Sequence, residues 1–148
     1  MKISRETDYA VRCLLHMARR PGGIFTVRKI SGPRGIPPMF LAKILQKLGK
    51  AGITSSVRGS RGGFRLSRSP GEITLLSVFE AVEGPLAPNE CLVEGSRCSQ
   101  AGRCAVHPVW KELRETLAKS LGKVTLRQLA KREDDVGQED FEMAGEGT

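Results

Sequence analysis

Acidic residues are almost missing from the first seventy positions of this chain. Residues 1–70 hold only Glu6 and Asp8 against 15 Lys and Arg, a balance of +13. Residues 71–148 hold 14 Asp and Glu against 9 Lys and Arg, a balance of −5, and the whole 148-residue chain carries +8. Solubility accounts for a net positive charge but not for one confined to one half. The N-terminal half is therefore read as a polyanion-binding surface, with nucleic acid as the partner. Long apolar runs are missing too. No stretch approaches the roughly 18 residues of a membrane span, so no membrane partner is expected. The first twenty residues carry charges throughout their apolar pattern, unlike a signal peptide. A cytoplasmic location is expected, where thiols stay reduced and clustered cysteines point to metal binding or reactivity rather than disulfides. Aromatic residues make up only 5% of a chain that is 39% hydrophobic, which leaves a modest core. No acid/base pair, nucleotide loop or second cofactor motif is present, so the chain is not read as an enzyme.

The residues that are present alternate between helical stripes and turn chemistry. Residues 5–20 read as a helix: Ala10, Val11, Leu14, Leu15 and Ala18 recur at helical spacing, Ser4 can cap it and "PGG" at 21–23 ends it. Cys13 sits alone on the apolar side and reads as core. Thr26 can cap a short helix over Val27–Ser31, and "GPRG" at 32–35 is turn chemistry. A second helix opens at Pro37 or Pro38 and runs to about Lys50. Leu41, Ile44, Leu45 and Leu48 form its core face, and Met39, Ala42, Lys43, Gln46, Lys47 and Lys50 lie opposite. Short helix, tight turn and basic second helix make a helix-turn-helix pattern; a helical hairpin with a solvated lysine face is the plain alternative. "ITSSVRGSRGGFRLSRS" at 53–69 weighs for the former. It reads as two short strands around a Gly-rich turn bearing Arg58 and Arg61, a wing suited to phosphates or a narrow minor groove.

A helix capped by Thr74 follows, with Leu75, Val78, Phe79 and Val82 as its stripe and Gly84-Pro85 as its stop. His107-Pro108 opens the next one. There Trp110, Leu113, Leu117 and Leu121 recur at i, i+3, i+7 and i+11, a narrow seam that points to dimerisation. Gly122 breaks that helix, and Thr125–Lys131 is a short one. The acidic segment from Glu133 is expected to be disordered. The fold class is thus mainly α with a small β-hairpin wing. It comprises a winged helix-turn-helix over 1–84, a cysteine-rich loop over 85–106, a dimerisation helix and short helix over 107–132, and an acidic tail over 133–148.

The loop carries the chemistry. Cys91-x6-Cys98-x5-Cys104-x2-His107 offers four soft or borderline ligands within 17 residues. Thiolates suit zinc, copper(I) and iron–sulfur clusters, and imidazole suits zinc and iron. Structural zinc sites use tighter knuckles, so the longer intervals suit an iron–sulfur cluster. A single zinc ion and bare redox-active thiols stay open. Arg97 and Arg103 each precede a cysteine and favour thiolate.

"TDYAVRCLLHMA", "GIPPMFLAKILQKLGKAGI", "SSVRGSRGGFRL", "ITLLSVFEAVEG" and the three-cysteine loop occur in the order typical of the Rrf2 family. The chain resembles these dimeric winged-helix transcription regulators, which include IscR, NsrR and RirA types, over about residues 1–132. The resemblance implies a homodimer that binds pseudo-palindromic double-stranded DNA under control of an iron–sulfur cluster. In IscR types three cysteines and a histidine, matching His107, hold a 2Fe–2S cluster. In NsrR types an aspartate of the partner subunit, matching Asp8, completes a 4Fe–4S site. His107 needs no partner, so 2Fe–2S is favoured over 4Fe–4S. The first cysteine interval is one residue longer than in the IscR and NsrR patterns. Candidate DNA contacts are Arg28, Pro38, Met39, Lys43, Lys47, Ser56, Arg58 and Arg61. An acidic base-reading position of the IscR type falls on Ala42.

Overall fold

The computed structural model describes residues 2–96, 98–100 and 102–145. Six helices and one two-stranded sheet follow in chain order: α1 Arg5–Ala18, α2 Val27–Arg34, α3 Pro38–Lys50, β1 Thr54–Val57, β2 Gly63–Leu66, α4 Leu75–Glu83, α5 His107–Gly122 and α6 Leu126–Gly145. Local chemistry explains most of the starts. Ser4, Thr26 and Thr74 each accept a hydrogen bond from the backbone N–H three residues on, satisfying a donor that has no partner inside the helix. Glu83, at the end of α4, also holds the start of α1. Its Oε1 accepts from the Ser4 N–H at 3.2 Å and the Thr7 hydroxyl at 2.6 Å. The Ser4 and Thr7 hydroxyls, followed by the Ser4 N–H and the nearby Lys47 charge, keep the Glu83 carboxyl below its usual range.

The core forms where the stripes of α1, α3 and α4 meet. Ala10, Cys13, Leu14 and Met17 of α1 are fully buried against Leu41, Ile44, Leu45 and Leu48 of α3 and Val78 of α4. Cys13 is a core residue as its spacing suggests, and burial pushes its thiol up to about 12.

Three segments depart from the sequence pattern. α2 does not stop at Ser31 but carries Gly32-Pro33-Arg34 as its last turn. Proline removes a donor there, and the end is closed instead by Gly35 at φ 62, with N–H bonds from Gly35 to Gly32 and from Ile36 to Ser31. Phe25 bridges to Phe64, adding a one-residue rung beside the β1–β2 hairpin. A Cβ at Gly63 would run into the Phe25 backbone, so this close approach requires glycine. The third departure is at the C-terminal end. Residues 73–75 pair with 124–126, placing Leu126 at 0% exposure in the core. The helix that starts there continues to Gly145, where a short helix and then disorder from Glu133 were expected. Just past the expected end, distant cations hold the helix: Arg34 donates to both carboxylate oxygens of Glu133, at 2.6 and 3.1 Å, and Arg19 reaches Glu133 and Asp134 at 3.3 Å.

Candidate nucleic-acid interface and cysteine loop

α3 is exposed along one side. Pro38, Met39, Ala42, Lys43, Gln46 and Lys50 face solvent, while the four core residues fill the opposite side. Lys47 stands apart from these side chains: its Nζ sits 2.8 Å from Glu6 and 3.4 Å from the Val82 carbonyl, tying α3 to α1 and α4. At 3.6 residues per turn, position 47 falls on the flank of the outward face, and its acidic partner on another helix is invisible to local spacing. Phe40 shares that flank and meets Tyr9 edge-on at 6.3 Å between centroids. Arg28 is exposed on α2, and Ser56, Arg58 and Arg61 are exposed on the wing.

Arg65 belongs with these cations but was not singled out. It pairs with Ser55 in the register, on the face opposite Phe64 and Leu66, and is exposed. Strand alternation carries that signal. Arg68, though exposed, donates to the Ala51 and Gly52 carbonyls at 3.3 Å and braces the turn between α3 and β1. The only two acids of residues 1–70 are both engaged: Glu6 by Lys47 and Asp8 by Arg12 at 2.8 Å. The basic field of this half therefore faces outward with little internal neutralisation.

In the cysteine loop, Cys91 lies on a short 3-10 turn, Glu90–Leu92, opened by Asn89. Cys91 and Cys104 are half-buried, Cys98 is exposed, and all are free thiols. Cys91 and Cys98 share the lining of an open hollow of about 370 Å³ with Asn89, Glu90 and Ser96. His107 does not cap α5. Val106 is the capping residue, and His107 is the first residue of the helix, with Nδ1 3.4 Å from the Cys91 sulfur. The fold thus brings together two of the four sequence candidates directly and a third around the shared hollow. Among the described residues no three His, Cys, Asp or Glu side chains converge tightly enough to hold one metal ion. Arg97 lies outside the described residues; Arg103 is exposed.

Asp8 stands elsewhere. With Ile3, Val11, Leu75, Phe79 and Leu121 it lines an apolar hollow of about 170 Å³ beside the C-terminal end of α5. The sixteen residues of α5 separate that end from His107 by roughly 24 Å at 1.5 Å per residue. Asp8 therefore stands by the end of α5, whereas the Cys91–His107 pair of the same chain stands at its start. No residue of α5 is buried. Trp110, Leu117 and Leu121 are half-buried, and Val109 and Leu113 are 53% and 40% exposed. Among the described residues no helix is long and apolar enough to cross a membrane.

The fold and sequence match known proteins along most of their length. The family model of Rrf2, described as an iron-dependent transcriptional regulator, matches residues 3–132. The HTH-type transcriptional regulator IscR of Xenorhabdus nematophila is 32% identical over 136 residues, 90% of this chain and 82% of that one. Among solved structures, CymR, the global cysteine regulator of B. subtilis, superposes with a TM-score of 0.71 at 26% identity, covering 89% of this chain and 98% of that one. IscR of T. potens superposes with a TM-score of 0.70 at 24% identity, covering 92% and 90%.

Proposed function

The chain belongs to the Rrf2 family of DNA-binding transcriptional regulators, and from that premise we propose that it acts as a homodimer whose cysteine loop, loaded with an iron–sulfur cluster, tunes its grip on a two-fold operator. One observation carries the proposal: α5 begins at His107, in contact with Cys91, and presents an apolar seam that its own chain leaves unburied. Sensor loop and dimer surface thus share one helix, the loop at its start and the seam along its length.

The donor set fits a cluster. Three free thiols and an imidazole are the ligands such clusters take, and Cys91, Cys98 and His107 already surround or adjoin one hollow. Cys91, Cys98, Cys104 and His107 would hold a 2Fe–2S cluster, the favoured form. When bound, the cluster supplies a redox-active link that can be assembled and lost. Cys91 and His107 then fasten the loop to the first turn of α5. Untied, Gly95 and Gly102 leave the intervening chain easy to deform. α4 packs on α5 and also on α1 and α3, so a shift of α5 is felt by the DNA-reading helix. A two-fold axis crossing the seam near Leu113 and Leu117 runs the two α5 helices antiparallel. That arrangement would bring Asp8 of the partner subunit toward the cysteine loop, which keeps it as the other fourth ligand, with a 4Fe–4S cluster. Half-sites are expected about one helical turn apart, facing α3 and the wing.

Anaerobic purification followed by native mass spectrometry of the wild type, His107→Ala and Asp8→Ala tests cluster type and fourth ligand together. The expected result is broad visible absorption and loss of the cluster in His107→Ala but not in Asp8→Ala. Equal operator affinity of cluster-bearing and cluster-free protein would refute the sensing role. A second reading, structural zinc or redox-active bare thiols, is favoured by the Cys91–His107 pair, beside which no third donor converges among the described residues. Colourless anaerobic protein, with or without bound zinc, would support it.

A further inference from the structure

The outward face of α3 is chemically uneven. Met39, Ala42, Lys43, Gln46 and Lys50 fall within an arc of about 100° at 100° per residue. Met39 is 78% exposed and Ala42 is exposed beside it one turn on. Among the described residues nothing covers either one: the aromatic neighbour Phe40 turns aside to Tyr9, and Lys47 turns aside to Glu6. A single exposed apolar side chain is ordinary on a protein surface. Here the side chain is the second residue of the helix that enters the major groove, where N-terminal residues meet base edges. α3 also contains no acidic residue. It therefore lacks the carboxylate that accepts a hydrogen bond from cytosine N4.

We infer that this face selects A·T pairs. Met39 and Ala42 contact thymine 5-methyl groups, and Gln46, one turn beyond Ala42, takes the N6 and N7 edge of an adenine. The physical basis is specific to the groove. Only thymine presents a methyl group there, and a flexible thioether or a small alanine gains from covering it. Gln can bond the adenine edge twice, and no other base offers the same donor and acceptor pair to it. Lys43 and Lys50 supply charge that does not depend on base identity. The inference rests on the DNA-reading role proposed above and adds which bases are read and by which residues.

The test uses full-length protein and duplexes that it selects from random 40-bp DNA. The recovered sequences are resynthesised with single thymines replaced by deoxyuridine, which removes only the methyl group. Wild-type affinity is expected to fall about four-fold per contacted methyl, the equivalent of about 0.8 kcal/mol. Met39→Ala should bind thymine and deoxyuridine duplexes alike at the affected position while keeping the wild-type salt dependence. Gln46→Ala should lose roughly 5- to 150-fold of its preference for one adenine per half-site. Lys43→Ala, by contrast, should lower the salt slope by about one. Selected sites lacking A·T pairs, or deoxyuridine duplexes bound as tightly as thymine ones, would overturn the inference and leave the DNA-reading role standing. Failure to select any duplex over random DNA would overturn both.

Discussion

Replacing Glu133 by glutamine should destabilise the whole DNA-binding unit, although position 133 lies far from it in sequence. Arg34, at the end of α2, donates to both oxygens of Glu133, and its side chain is only 14% exposed against 31% for Glu133. An exposed ion pair contributes about 0–1 kcal/mol, and breaking a fully buried one costs about 3–5 kcal/mol. This fork lies between, with one partner nearly shielded and the other wet. A loss of about 2 kcal/mol follows, consistent with hydrogen bonds to charged groups at about 1.5–3 kcal/mol. At about 2–4 °C per kcal/mol for a chain of this size, the Tm should drop by about 4–8 °C. Urea and thermal unfolding followed by far-ultraviolet circular dichroism read it, with an unchanged denaturant slope as the sign of intact two-state unfolding. Asp135→Asn is the control: Asp135 is exposed and makes no ion pair among the described residues, so its effect should stay within about 0.5 kcal/mol. The reasoning is wrong if Glu133→Gln also stays within about 0.5 kcal/mol. It is equally wrong if a double-mutant cycle with Arg34→Met gives no coupling beyond that size.

Four further outcomes follow from the same geometry. His16 stacks edge-on to Phe25 at 5.5 Å, and burial, then Arg34 and Arg19, lower its pKa from 6.5. The unfolded chain takes the proton first, so stability should fall as pH drops below about 6.5, and His16→Gln should flatten that slope in urea titrations at pH 5–7. The Glu133 carboxyl is also held low, chiefly by the hydrogen bonds from Arg34. Its contribution is present above the ordinary carboxylate range and is lost at still lower pH, as the solution falls through its depressed pKa. Gly63→Ala should cost about 1–3 kcal/mol and weaken salt-dependent DNA binding, because the new methyl collides with the Phe25 backbone that anchors the wing. Leu113→Asp should yield monomers in sedimentation velocity with little change in helix content, since the protomer leaves Leu113 40% exposed.

Local chemistry alone determined a great deal of this protein. Capping hydroxyls at Ser4, Thr26 and Thr74, the i, i+3, i+4, i+7 stripe of α3 and the glycine turn of the wing all act within a few residues. Helix starts, core faces and the order of elements could therefore be read in the chain. The chain also displays three cysteines and His107 within 17 residues, the candidate donors, and a basic half with two acids.

What the chain could not reveal depends on partners distant in sequence. Lys47 meets Glu6 on another helix, a partner that the spacing of α3 does not announce. α6 passes Lys131, where a short helix was expected to end, and there Arg19 and Arg34 hold Glu133, 99 positions from Arg34. Phe25 joins the wing through a single rung that no strand pattern announces. Of the four candidate ligands, the fold chose which two touch, Cys91 and His107, and set Asp8 at the far end of α5. The physical reason is the same in each case. Periodicity records which side of an element faces inward, whereas the identity of the group it meets there is decided only when distant segments pack.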